Sequence, residues 1–230
     1  MRPRISLLCP TRNRPANVRR LHSTALAMAD CEIELVFRCD DDAPGSVPAG
    51  IAAARDVTVL TGPRLVMSDL WNPCWQAATA DVFMLCADDV AFRTPGWDSM
   101  VLDAFSRYPD RIALVHGDDG TGIHPAHFGT HPFVSRAWTD ALGYFTPPWF
   151  SCDYADTWLN DLAARTGRSH RVPGLLAEHL HPAVAKAEWD RSHAERAERG
   201  QRDDVAATWA RTEPERERDA ARLRAAMGPA

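Results

Sequence analysis

The chain has 230 residues, 45% of them apolar and 25% charged, which is the balance of an ordinary soluble globular protein with length for one sizeable core and an appendage. Its formal net charge of −5 argues against bulk electrostatic attraction to nucleic acid or anionic membrane, and leaves room only for a local basic groove such as Arg2, Arg4, Arg12, Arg14, Arg19 and Arg20 would make. No segment approaches the roughly twenty apolar residues that span a bilayer, and the start lacks a secretory core. The scattered cysteines show neither C-x-x-C nor zinc-type spacing, so a reduced, cytoplasmic protein without a membrane partner is expected.

In chain order, Ile5–Cys9 reads as a short strand stopped by Pro10. Pro15 stands where a helix accepts proline as its first residue, and Val18, Leu21, Thr24, Ala25 and Met28 continue a helical apolar face. Glu32–Cys39 is a second strand, ended by the acidic turn Asp40-Asp41-Asp42, and Val57–Leu60 a third. Met67–Ala78 is expected to be helical, with Asp81–Leu85 as the fourth strand behind it; Gly96–Tyr108 is another helix and Ile112–Val115 a fifth strand. Strands alternating with helices predict a parallel α/β sheet. Residues 116–132 break the regularity with glycine, aspartate and four histidines, and a loop that long inside a compact domain is commonly functional or mobile. Ser135–Leu142 and Asp153–Arg165 look helical, and Val172–Ala177 is a short apolar stretch leading to Glu178-His179-Leu180-His181-Pro182. From about Ala183 the composition turns to Arg, Glu and Ala, which divides the chain into a domain over 1–182 and a charged helical extension over 183–230. Thr212 followed by Glu215 matches a capping box, so Glu213–Met227 is expected as a solvated or loosely docked helix.

The densest signal is Ala80–Val90. Its apolar run, Val82–Leu85, ends in two adjacent carboxylates, Asp88 and Asp89. A central parallel strand is apolar because both its faces are covered. Paired acids at its carboxyl end are costly unless a cation or substrate shares them, and that end of an open α/β sheet is where ligands bind. Two hard oxygen ligands suit Mn²⁺ or Mg²⁺ held partly by substrate phosphates; two solvated loop acids would read the same way.

Taken together, the order of motifs resembles the GT-A-fold glycosyltransferases of the family-2, nucleotide-sugar-dependent type, over roughly residues 4–182. Ile5-Ser-Leu-Leu-Cys-Pro-Thr-Arg-Asn-Arg-Pro is similar to that family's first strand and following turn, Asp40-Asp41-Asp42 to its acidic turn, Asp69–Asp81 to its Asn-bearing helix with Asn72 at the Asn, and Ala87-Asp88-Asp89 to its metal motif. The resemblance implies a Rossmann-like, mostly parallel sheet flanked by helices. It also implies an inverting transfer from a nucleotide sugar, a UDP-sugar by default. Asp89 would bind the metal, with His181 or His179 completing the shell and Asp88 meeting the donor's ribose or a coordinated water. Pro10, Thr11, Arg12, Asn13, Arg14, Asp40, Arg64 and Asn72 would form the donor site, with Asp40 accepting from a pyrimidine N–H and the arginines facing phosphate.

The family's acidic base pair aligns with Cys152-Asp153, so Asp153 matches the base while Cys152 replaces the usual Glu; Asp156, one turn on, shares its helical face. Trp149, within the aromatic group Trp138, Tyr144, Trp149, Phe150 and Trp158, and His131 are candidates to contact the acceptor. The acceptor itself is open, with a hydroxymethylated pyrimidine in phage DNA as one concrete case beside saccharide, protein and small-molecule hydroxyls. Rival readings are a metal-dependent phosphohydrolase or nucleotidyltransferase, and a non-catalytic nucleotide-sugar binding module. The former needs several carboxylates around two metals or a glycine-rich first turn, and Pro10–Pro15 holds no glycine.

Overall fold

The computed structural model describes residues 4–228, so Arg2 of the N-terminal basic group lies outside the described residues. Eight strands form one sheet: β1 (Ile5–Thr11), β2 (Ile33–Asp40), β3 (Val57–Gly62), β4 (Val82–Leu85), β5 (Val90–Phe92), β6 (Leu114–Asp118), β7 (Phe133–Ser135) and β8 (Ser169–His179), in the order β3-β2-β1-β4-β7-β6-β8-β5. The helices are α1 (Pro15–Ala27), α2 (Ala49–Ala52), α3 (Met67–Ala77), α4 (Trp97–Ser106), α5 (Arg136–Leu142), α6 (Ala155–Thr166), α7 (Arg191–Arg202), α8 (Val205–Arg211) and α9 (Glu213–Ala226).

The first half of the sheet is the expected parallel core, in which β2 pairs with β3 and β1 pairs with both β2 and β4. Along β1 and β2 the side chains alternate between two cores. Ile5, Leu7, Ile33, Leu35 and Phe37 join α1 and α4 on one face, and Leu8 and Val36 join α3, α5, α6 and α9 on the other, the period-two pattern of a sheet covered on both sides. The chain leaves β1 towards β2 but re-enters at β4 on its other flank, so the carboxyl ends of β1 and β4 form the switch point where such sheets open a crevice.

Several elements differ from the sequence reading. Strand β1 runs through Pro10 to Thr11 rather than stopping at Cys9, because its ladder to β4 ends at Leu8–Leu85 and the missing N–H of Pro10 has no partner to lose there. The second half of the sheet is mixed. The short strands β5 and β7 pair antiparallel with β8 and with β4 and β6, and three-residue strands leave no legible period. Thr212 does not cap α9: its Oγ1 donates to Thr208 O at 2.8 Å, because α8 runs directly into α9. Nor is α9 loosely docked. Ala220 and Leu223 are fully buried, the buried Arg216 guanidinium lies 3.6 Å from the Trp209 ring centroid, and Tyr144 donates to Asp219. Among the described residues no helix is long and apolar enough to cross a membrane.

Candidate active site

At the switch point a cavity of about 510 Å³ opens over the ends of β1, β2 and β4, between the loop after β6, the start of α6 and the inward face of α7. Its floor is fixed from within the fold. Trp71 Nε1 on α3 donates to Leu8 O and Cys86 O at 3.1 and 3.0 Å, holding the ends of β1 and β4 together. Thr11 Oγ1, at the tip of β1, donates to Asp88 at 2.7 Å, and Arg14 and Asn17 donate to the other oxygen of Asp88 at 3.2 and 3.3 Å. Burial pushes the Asp88 carboxyl above the usual range, against the pull of Arg14. With both oxygens occupied, Asp88 organises the N-terminal turn of the site.

Asp89 behaves differently. Its Oδ1 is buried without a hydrogen-bond partner, and its Oδ2 lies 3.5 Å from His179 Nε2. Burial raises its pKa, but the His179 ring, with His131 and Arg14 beyond it, outweighs that and brings the carboxyl down to about 2. His131 Nδ1 faces Leu85 O at 3.1 Å; a carbonyl only accepts, so Nδ1 carries the hydrogen and Nε2 presents a lone pair. That Nε2 is buried and unpartnered, and burial, reinforced by repulsion from His179, lowers the imidazole to about 4. The ring is therefore neutral at pH 7.

One ligand atom each from Asp89, His131 and His179 lies within 4.8 Å of the others. The backbone sets this spacing, since Leu180 N donates to Asp89 O at 2.9 Å and β8 delivers His179 opposite Val90 of β5. Two buried acceptors left without partners, Asp89 Oδ1 and His131 Nε2, on the residues of this one group are expensive unless a cation takes them up. A histidine whose other nitrogen donates to a backbone carbonyl is the usual outer-shell arrangement of a metal ligand. The residues therefore fit a divalent ion.

Most of the residues expected from sequence line this cavity: Pro10, Thr11, Arg12, Arg14, Asp40, Arg64, Asp88, Asp89, His131, Asp153, Asp156, His179 and His181. His181 stands outside the close group of three, its ring centroid 4.9 Å from that of His179 and its Nδ1 accepting from Ala183 N at 3.1 Å. Asp40 is buried, with Oδ2 accepting from Arg12 at 3.0 Å and Oδ1 unpartnered and 3.9 Å from the buried Arg38. Arg12 also chelates Asp42, and these two carboxylates raise its pKa further.

Three expected residues lie elsewhere. Asn72 clamps the chain before α6, its Oδ1 accepting from Phe145 N and Thr146 N at 2.9 and 3.0 Å and its Nδ2 donating to Thr146 O at 2.9 Å. Asn13, in a left-handed conformation with φ of 55°, faces a separate small hollow with Asp190 and Glu195. Trp149 is 44% exposed and outside the cavity lining. Of the other aromatics, Trp138, Phe150 and Trp158 are core.

The two base candidates are not equivalent. Asp153 is held by Arg196 Nε of α7 at 2.5 Å. Among the described residues the Asp156 carboxylate accepts only from the backbone and hydroxyl of Thr157, and burial pushes its pKa above the ordinary aspartate range. Sequence reasoning missed the whole inward face of α7. From there Asp190 chelates Arg14 at 2.6 and 2.8 Å and Glu195 pairs with Arg64, while Ser192, His193, Arg196 and Arg199 also line the cavity. The only signal was Asp190 with His193 three residues on, which closes a capping box in the structure. Asp119, also missed, sits in the polar loop and accepts from Thr130 Oγ1 at 2.6 Å and from Thr121.

No family model matches this sequence, and no curated protein matches it. Solved structures do. A mannosyltransferase from Pyrobaculum calidifontis, solved with GDP-Man and Mn²⁺, superposes with a TM-score of 0.60 at 13% identity over 98% of this chain and 74% of its own. The chain has a GT-A fold. S. aureus TarS 1-349, solved with UDP-GlcNAc, superposes with a TM-score of 0.59 at 12% identity over 84% of this chain. This GT-A chain spans 64% of that structure, less than two-thirds of its length.

Proposed function

We propose that this GT-A protein is a Mn²⁺-dependent, inverting glycosyltransferase that moves a sugar from a uridine or guanosine diphosphate donor to an acceptor hydroxyl. The observation that carries this reading is the group Asp89, His131 and His179 at the carboxyl end of β4, two of whose residues, Asp89 and His131, each keep a buried side-chain acceptor without a partner. Among the described residues it is a single group, which supports one metal rather than the pair typical of phosphohydrolases. A bound divalent cation supplies positive charge to the departing diphosphate.

The chain's own residues do the rest. In this reading Arg14, anchored between Asp88 and Asp190, and Arg64, beside Glu195, face the diphosphate. The free Oδ1 of Asp40 next to the Arg38 guanidinium suits a base edge that presents N–H beside C=O. Uracil and guanine have such an edge; adenine and cytosine do not. Asp156, raised in pKa and without an ion-pair partner among the described residues, takes the proton of the acceptor hydroxyl as that oxygen attacks the anomeric carbon. The bond from that carbon to the diphosphate oxygen breaks on the opposite face, and its electron pair leaves with the phosphate. Similarity to the GDP-Man and UDP-GlcNAc complexes supports both donor bases. A hydroxymethylated pyrimidine in DNA remains one acceptor to screen.

The test is a thermal-shift panel of nucleoside diphosphates and nucleotide sugars, with Mn²⁺ and with EDTA, on wild type and Asp89→Ala. A uridine or guanosine diphosphate shift that needs Mn²⁺ and disappears in D89A is expected. Stabilisation by no nucleotide under either condition would overturn the reading.

A further inference from the structure

Helix α7 presents an entirely polar inward face to the cavity, and His193 is its only buried residue. Its charged side chains are mostly paired already: Glu195 with Arg64 and Arg191, Arg196 with Asp153, and His193 with the N-cap Asp190, which also holds Arg14. Arg199 is the exception. Half-buried in the cavity wall, it makes one hydrogen bond, from Nη1 to Ser151 O at 3.3 Å, and no ion pair among the described residues. The adjacent carboxylate, Asp203, is chelated by Arg202 at 2.6 and 2.9 Å. A guanidinium carries five donors and cannot lose its charge, so most of the capacity of Arg199 is unspent.

Position gives this a meaning. Arg196 and Arg199 are three residues apart and so lie on one face of α7. Both grip the short segment 151–153 that carries Asp153 and precedes Asp156, Arg199 at Ser151 and Arg196 at Asp153. An anion held between them therefore sits beside Asp153 and Asp156, on the side where an acceptor hydroxyl must dock, while the donor diphosphate is taken up at the Asp89 group and Arg14. We infer that Arg196 and Arg199 form a second anion subsite and that the acceptor carries a phosphate ester close to the hydroxyl it offers. This rests on the transferase reading above. The same phosphate would draw Arg196 away from Asp153.

The test titrates sn-glycerol 3-phosphate and glycerol, by calorimetry at constant ionic strength, into the full chain saturated with Mn²⁺ and its preferred nucleoside diphosphate. The phosphate ester is expected to bind at least about tenfold tighter than glycerol, and Arg199→Gln and Arg196→Gln each to lose about tenfold, the worth of one charge-assisted hydrogen bond. R199K should recover part of the loss, and nucleotide affinity in R199Q should match wild type, which separates a binding defect from misfolding. Competition between glycerol phosphate and the nucleotide would assign the phosphate to the donor site and overturn the inference, as would unchanged binding in R199Q. Failure of every nucleoside diphosphate to bind would instead sink the transferase reading, and the dependence of phosphate binding on Arg199 is then read on nucleotide-free protein.

Discussion

The sharpest consequence of the site geometry concerns His131. Without metal, its Nε2 and Asp89 Oδ1 are both buried and unpaired, and each such atom costs roughly 1–3 kcal/mol. Replacing His131 by Phe removes one of these penalties and also the Nδ1–H bond to Leu85 O, which contributes about 1 kcal/mol. The two terms nearly cancel, so H131F in EDTA should melt within a few degrees of wild type. With metal the terms no longer cancel. A ligand at one hundred times its Kd stabilises the folded state by about 2.7 kcal/mol, which in a chain of this size moves the midpoint by roughly 5–11 °C. Differential scanning fluorimetry across a Mn²⁺ titration should show that shift in wild type and its loss in H131F and H179A. His181→Ala should keep most of it, because that ring lies outside the group of three and caps the turn at Ala183. A full Mn²⁺ shift in H131F, or its abolition in H181A, would refute the assignment.

The remaining predictions concern proton transfer, base recognition and the C-terminal helix. The Asp156 pKa is raised by burial, so the acid limb of kcat/KM should lie above the ordinary aspartate range and vanish with the activity in Asp156→Asn. By linkage, a raised carboxyl favours the fold at low pH and loses that contribution as pH climbs through its folded-state pKa. D156N should therefore be more stable than wild type at pH 7 and lose the advantage in acid, as urea midpoints at the two pH values will report. Asp40→Asn exchanges a charged acceptor for a neutral amide and should weaken uridine or guanosine diphosphate binding by about tenfold or more in calorimetry. Leu223→Ala hollows the core between α9 and the body, where Leu223 is fully buried, and should cost about 2–5 kcal/mol in urea unfolding.

What the sequence determined by itself is the part governed by local rules. A short apolar run such as Val82–Leu85, bounded by Asp81 and by Asp88–Asp89, reads as a covered strand. Pro15 starts α1, and adjacent acids after a buried strand fall at the carboxyl end of the sheet, so the parallel half of the fold and the position of Asp88 and Asp89 in the cavity there were legible. The pairing of Thr11 with Asp88 was half legible, since both fall at strand ends but only the order β2-β1-β4 makes them neighbours.

Tertiary structure alone decided the rest. His131 and His179 lie 48 positions apart by their numbers, and nothing local marks them as partners; they converge because β7 and β8 enter the sheet beside β4 and β5. Asn72 carries a donor-site motif yet spends its amide on the backbone at Phe145 and Thr146, a use that no spacing rule exposes. Helix α7 reads as a solvated run of Arg and Glu because its inward face is charged as well as its outward one. Its sequence, RSHAERAERGQR, holds no large apolar residue to mark the face that docks, and a helix held on a polar cavity through ion pairs needs none.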